Sequence, residues 1–258
     1  MANDEKVRQA IALLQESLEE TEPDDHRPYD LGRGMFLRRL QDLDPLTTGL
    51  DWVCVPVIQS ERKKCNRDTK WYQKARDAGL VLTAFDWMPD ADNWEKGLDE
   101  AVEFAAAQGC VSFILNAEKE FRKHQKSCEE YARFSRSLCD HYGIKLGFVS
   151  YSVPATIKDL NWEAFAEYCD FGIPEIYDRY HELDPDYPIR AIEGYEEVGF
   201  KVVIPACGIY RFENDKARWR TAREVDEHLS LFPDTSTLLA WALRGQVPTA
   251  TMEAYLDY

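Results

Sequence analysis

The chain has 258 residues, 47 acidic against 31 basic side chains, a formal net charge of −16 and 45% hydrophobic residues, enough apolar side chain for a core. So acidic a balance excludes a nucleic-acid or anionic-membrane partner, because both rest on clustered Lys and Arg. No apolar run reaches the roughly 20 residues that span a bilayer, and the opening MANDEKVRQAIALLQ lacks the marks of a secretory leader, so a soluble protein, cytoplasmic as synthesised, is expected, with non-classical export or virion association left open.

Val7, Ile11, Leu14 and Leu18 recur at helical spacing, which predicts an opening amphipathic helix over 5–20. TEPDDHRP (21–28) reads as a connector, so 1–28 is expected to be helix and linker and 29–258 the main domain. The helix has two readings: docking on the floor of that domain, or tethering a protein partner. Short apolar runs then alternate with helical patterns. The runs are GMFLRRL (34–40), DWVCVPVIQ (51–59), VLTAFDWM (81–88), VSFILNAE (111–118), KLGFVSYSV (145–153), FGIPEIY (171–177), KVVIPACGIY (201–210) and STLLAWAL (236–243). Helices are predicted near 69–79, 91–108, 121–142, 161–168, 187–198, 217–231 and 249–257. Several end at a glycine just before the next strand, namely Gly79, Gly109, Gly143 and Gly199.

Strands alternating with helices predict parallel βαβ units, and eight strands in about 250 residues close a (β/α)8 TIM barrel of the α/β class. An open doubly wound sheet would carry G-x-G-x-x-G or G-x-x-x-x-G-K-[ST], and neither occurs. The seven cysteines are an odd number without a C-x-x-C pair or Cys/His cluster. They read as reduced structural thiols, and no zinc or other cofactor is expected.

Barrel catalysis belongs at the C-terminal strand ends. Those ends offer Gln59 and Glu61, Asp86 and Trp87, Asn116 and Glu118, Tyr151 and Ser152, then Glu175, Tyr177 and Asp178, Cys207 and Tyr210, and Trp241 and Arg244. His26, His124, His141, His181 and His228 all fall on helices or loops, which argues against an imidazole-ligated metal. Strand alternation puts Ile114, Asn116 and Glu118 on one face of the fourth strand and Ile173, Glu175 and Tyr177 on one face of the sixth. Two carboxylates facing one cleft with aromatic walls is the arrangement that glycoside cleavage requires. Glu118, Glu175 and Asp86 are therefore the candidate catalytic residues. Asn116, Trp87, Tyr151, Tyr177, Asp178, Tyr210 and Trp241 are the candidate substrate contacts.

Each has a plainer reading. Glu118 suits a rim charge or a helix cap; Glu175 suits an ion pair with Arg179, Arg211 or Arg244; Asp86 suits an acidic loop with Asp90 and Asp92. Trp241 suits barrel filling, and EKEFRKHQK (118–126) suits a solvated helix face.

The fourth strand ending in Glu118 resembles that of glycoside hydrolase family 18, the chitinase-like barrels, whose D-x-x-D-x-D-x-E run ends in the acid glutamate. Glu175-Ile176-Tyr177-Asp178 is similar to the M-x-Y-D signature of the sixth strand, with Glu in place of Met, and Trp241 resembles the Trp that floors the sugar site. Ile114 and Asn116 stand where the family has its middle and last Asp, the pair that orients the N-acetyl group in substrate-assisted catalysis. The chain also resembles glycoside-hydrolase-like barrels from phages and actinobacteria, with their N-A-E strand end and P-[EQ]-[IV]-Y strand. The resemblance implies a glycosidase acting on a polysaccharide or cell-wall glycan, with Glu118 as general acid and Glu175 or Asp86 as second carboxylate. The loss of the aspartates supports an alternative, an inactive barrel that binds carbohydrate or a protein partner. A third reading has Asp86, Glu118 and Glu175 holding Mg2+ or Ca2+ through oxygen ligands.

Overall fold

The computed structural model describes residues 31–37, 49–59, 69–87, 91–177, 184–213, 216–232, 237–241 and 247–257. The helix and connector expected over 1–28 lie outside these residues. The strands in chain order are β1 (Arg33–Phe36), β2 (Trp52–Gln59), β3 (Val81–Trp87), β4 (Ser112–Asn116), β5 (Lys145–Tyr151), β6 (Phe171–Ile176), β7 (Ala206–Gly208), β8 (Tyr210–Glu213), β9 (Lys216–Trp219) and β10 (Leu238–Trp241). Eight of them close an all-parallel barrel in the order β1-β10-β7-β6-β5-β4-β3-β2, and β8 and β9 form a separate antiparallel hairpin. Among the described residues the helices are α1 (Thr69–Asp77), α2 (Leu98–Ala107), α3 (Gln125–Tyr142), α4 (Trp162–Tyr168), α5 (Tyr187–Glu197), α6 (Ala222–Leu229) and α7 (Thr249–Asp257). This is the predicted (β/α)8 TIM barrel.

Alternation along each strand divides the core in two. Phe36, Trp52, Cys54, Phe85, Ile114, Val149, Phe171, Ile173, Ile204, Ala206 and Leu239 fill the barrel. The intervening Val53, Leu82, Ala84, Phe113, Leu115 and Phe148 pack outward under the helices with Tyr131, Phe165 and Tyr195. Phe148 stacks on Phe165 at 4.2 Å between centroids, a contact that fixes α4 against β5. Gly34 is required inside: a Cβ there would lie 2.0 Å from Cε2 of Trp52, whose indole crosses the barrel floor. Pro56 is tolerated mid-strand because the pairing of β2 with β3 skips from Pro56 to Ile58, a bulge with Val57 as the extra residue.

The structure departs from the sequence reading in several places. β1 covers Arg33–Phe36 and leaves Leu37 outside it, where the reading had 34–40; residues 38–40 lie outside the described residues. The strand expected over 201–210 is broken: Val203 makes a single bridge to Gly172, Ala206–Gly208 joins the barrel, and Tyr210 opens the hairpin. The helix expected from 217 starts at Ala222, because β9 takes residues 216–219 and Thr221 caps the helix. Thr221 and Glu224 form a reciprocal capping box, the Thr221 N–H donating to Glu224 Oε2 at 2.8 Å and the Glu224 N–H to Thr221 Oγ1 at 3.3 Å. The described cysteines Cys54, Cys110, Cys128, Cys139, Cys169 and Cys207 are all free and buried, as expected of structural thiols.

Candidate active site

The site is built from three adjacent strands. Ile114 faces the interior, so Asn116 and then Glu118, two and four residues on, face inward above it. On β6 the same parity carries Ile173 to Glu175 and Tyr177. Asn116 pairs with Val149 and Tyr151 pairs with Glu175. The Ser150 hydroxyl donates to the Ala117 carbonyl at 2.5 Å, which extends the register of β4 past its last ladder residue. Glu118, Tyr151 and Glu175 therefore stand in one row at the C-terminal rim. Two strand spacings separate the carboxylate backbones by about 10 Å.

Both carboxylates are half-buried. Burial raises the pKa of Glu118, and the nearby Glu120 raises it further; a hydrogen bond from Asn116 and the Lys119 charge oppose the rise. Asn116 is 2% exposed, and its Oδ1 finds no hydrogen-bond partner among the described residues. Glu175 accepts a hydrogen bond from the Tyr177 hydroxyl, whose pKa is pushed well up by burial and by Glu175, Tyr210 and Glu118 around it. Tyr177 and Tyr210 sit 6.1 Å apart at 47°. Gly208 makes room for this arrangement, since a Cβ there would lie 2.6 Å from Cβ of Tyr177. Tyr151 is half-buried beside both glutamates and is pushed up to about 12, first by burial and then by Glu118.

Sequence reasoning missed the groups that hold this row in place. Arg122 donates from Nε to Asp159 Oδ1 at 2.7 Å and also bonds the Tyr151 hydroxyl. The neighbouring Lys123 takes a left-handed φ of 68°, and its N–H reaches the Asp159 carbonyl at 2.6 Å. The run over 118–126 is thus not the helix face expected of it: α3 begins only at Gln125, and the preceding turns clamp the loops after β4 and β5 together. Tyr195 of α5 donates to the backbone carbonyls of Tyr151 at 3.0 Å and Ile173 at 3.3 Å. No motif marks it, because its role depends on a helix packing beneath two strands.

Asp86 is not brought to this row. Leu82 and Ala84 face the helices and Phe85 the interior, so Asp86 points outward. It lies 1% exposed and accepts a 2.8 Å hydrogen bond from Tyr131 of α3. Burial raises its pKa to about 7 against the opposing pull of that bond. Asp86 therefore neither pairs with Glu118 nor completes an oxygen-ligand trio with Glu175, and the described residues contain no cluster of three metal-ligating side chains. Arg211, one candidate partner of Glu175, meets Glu224 at 2.9 Å. Cys207 faces the helix layer, and Ser152 contacts the Tyr187 hydroxyl. Trp87 and Trp241 end β3 and β10, with side chains outside the described residues, as are Glu61, Asp178, Arg179 and Arg244 entirely.

No family model matches the chain, and no curated protein matches it. Solved structures do. A chitinase from Chromobacterium violaceum ATCC 12472 superposes with a TM-score of 0.64 at 10% identity, over 87% of this chain and 98% of that one. The Bacillus cereus spore cortex-lytic enzyme SleL gives 0.62 at 10% identity, over 88% and 74%. The glycoside hydrolase family 18 chitinase ChiB of Flavobacterium johnsoniae gives 0.62 at 10% identity, over 89% and 94%. The resemblance to chitinase-like barrels read from β4 and β6 is present in the fold.

Proposed function

We propose that the chain hydrolyses a glycosidic bond in a polysaccharide or cell-wall glycan, with Glu118 as general acid and Glu175 as second carboxylate. The observation that carries this reading is the row Glu118, Tyr151, Glu175 at the catalytic rim of the barrel, both carboxylates facing inward. A half-buried acid whose pKa is raised keeps its proton closer to neutral pH, as proton donation to a leaving group needs. In the step, the bond from the anomeric carbon to the bridging oxygen breaks, and that oxygen takes the Glu118 proton. With inversion, a water oxygen ends on the anomeric carbon and its proton on Glu175; with retention, Glu175 first forms a glycosyl ester, and water then displaces that carboxylate while giving its proton to Glu118. The chitinase and cortex-lytic folds support a glycan substrate.

The test is mass-spectrometric detection of cleavage across chitin, peptidoglycan and plant-type oligosaccharides, comparing wild type with Glu118→Gln. Cleavage that falls by roughly 10²–10⁴-fold in the variant supports the reading, and the anomer released assigns inversion or retention. Glycan binding without turnover in both folded proteins would replace it with the inactive binding barrel, which the uncharged Ile114 and Asn116 favour.

A further inference from the structure

A buried carboxyl and a set of packed rings lie behind the turn that follows Glu118. Asp86, 1% exposed at the end of β3, accepts the 2.8 Å hydrogen bond of the Tyr131 hydroxyl. The Tyr131 ring meets Phe121 at 5.1 Å and 23°, Trp94 at 5.6 Å and Phe165 at 6.5 Å between centroids. Phe121, 0% exposed, is tied through both of its backbone polar groups. Its N–H donates to the Glu118 carbonyl at 3.0 Å, and its carbonyl accepts from the His124 N–H at 3.1 Å and the Cys128 thiol at 3.6 Å. Resting on the reading of Glu118 as general acid, we infer that Asp86 is a positioning residue for that acid: it orients Tyr131, Tyr131 seats Phe121, and Phe121 fixes the turn from which the Glu118 carboxyl reaches the rim.

The polar pair supplies direction that apolar packing does not. A leucine at 86 and a phenylalanine at 131 would fill the same layer without burying a carboxyl, which costs free energy unless it is hydrogen-bonded. The hydrogen bond pins the far end of the Tyr131 ring, and with it the face on which Phe121 stacks. Arg122 and Lys123 hold the same turn from its solvent side, both bonded to Asp159. The series Asp86, Tyr131, Phe121 ties it to the interior instead. Asp86 faces the helix layer and Glu118 the barrel interior, so the effect passes through the two rings rather than by contact of the carboxyls.

The experiment compares the full chain with Asp86→Ala, Asp86→Asn and Phe121→Leu. Its first readout is the titration of the Glu118 carboxyl by carboxyl-carbon NMR, assigned by its loss in Glu118→Gln, which needs no substrate. Burial is the first cause that raises this carboxyl, so a loosened turn lowers it toward the ordinary 4.5. Asp86→Ala and Phe121→Leu should move the midpoint down by about 0.5–1 pH unit. Asp86→Asn keeps an acceptor for Tyr131 and should recover at least half of that movement. Both Asp86 variants are neutral, so a difference between them reads the hydrogen bond and not the lost charge. On a glycan that wild type cleaves, Asp86→Ala should lower kcat by about 10-fold with KM changed by less than about 2-fold, and Asp86→Asn should restore kcat. Melting curves confirm that each variant is folded. If Asp86→Ala is not, Tyr131→Phe removes the hydroxyl, keeps the ring and should move the Glu118 midpoint in the same direction. Equal Glu118 titrations in Asp86→Ala and Asp86→Asn overturn the inference, as does a midpoint that stays put in Phe121→Leu or in Tyr131→Phe. The expected movements without hydrolysis of any glycan uphold the positioning of Glu118 and overturn the glycosidase reading alone.

Discussion

Asp86 shows how far a residue's neighbours decide its role. Its position at a strand end reads as a catalytic carboxylate, but parity turns it to the helix layer and Tyr131 fixes it there. Its folded pKa of about 7 lies above the ordinary 3.8, so the folded state binds the extra proton. Its contribution to stability is then complete below pH 3.8 and is lost as pH rises to about 7, on the order of 4 kcal/mol in all. The melting temperature should therefore fall across that window, and Asp86→Asn, which keeps an acceptor for Tyr131, should flatten the fall. An unchanged slope in the variant would place the titration elsewhere. Glu118 has the same sign with a different consequence. Because burial raises its pKa, kcat/KM should decline on the alkaline side as the acid proton is lost, and Asn116→Asp, by adding a like charge beside it, should move that decline to higher pH.

At the scale of elements, the hairpin after β7 and the start of α6 depend on one side chain. Glu224 caps its own helix through Thr221 and takes Arg211 from β8 and Arg218 from β9 at 2.9 and 2.6 Å. These partners, Arg218 foremost, hold its carboxyl well below the ordinary range. A depressed pKa stabilises the fold above the ordinary value of 4.5 and loses that contribution as pH falls below it. Glu224→Ala should cost about 1–2 kcal/mol at neutral pH, read by urea denaturation, and less in acid. A pH-independent loss would assign the effect to packing alone. Gly208 links the same strand to the site. Gly208→Ala should cost about 1–3 kcal/mol and lower turnover by displacing Tyr177, whose Cβ lies 2.6 Å from where the new methyl would sit.

For the whole molecule, close packing within the barrel and under the helix layer seals the thiols. All six described cysteines are buried, and burial raises the pKa of each, to about 11 for Cys128 and about 12 for Cys110, Cys139 and Cys207. A thiol reagent at neutral pH should modify none of these six in the folded protein and all of them in denaturant. Rapid native modification, located by peptide mapping, would contradict the closed packing.

The barrel was legible in the sequence because its physics is local and periodic. Alternating apolar runs of strand length, helices between them and glycines at helix ends each leave a mark within a few residues. Alternation also carried the row of Asn116, Glu118, Glu175 and Tyr177, since one parity along each of two strands decides which side chains share a face. The hairpin of β8 and β9 was less legible: Tyr210 read as the tail of one strand and residues 217–219 as the head of a helix, whose start Thr221 and Glu224 set instead. What only the tertiary structure decided was which strand ends meet. The outward turn of Asp86, the clamp of Arg122 on Asp159 and Tyr151, and the reach of Tyr195 beneath two strands join residues 22 to 45 positions apart. Such contacts leave no periodic trace, because they arise from packing between elements rather than from spacing within one.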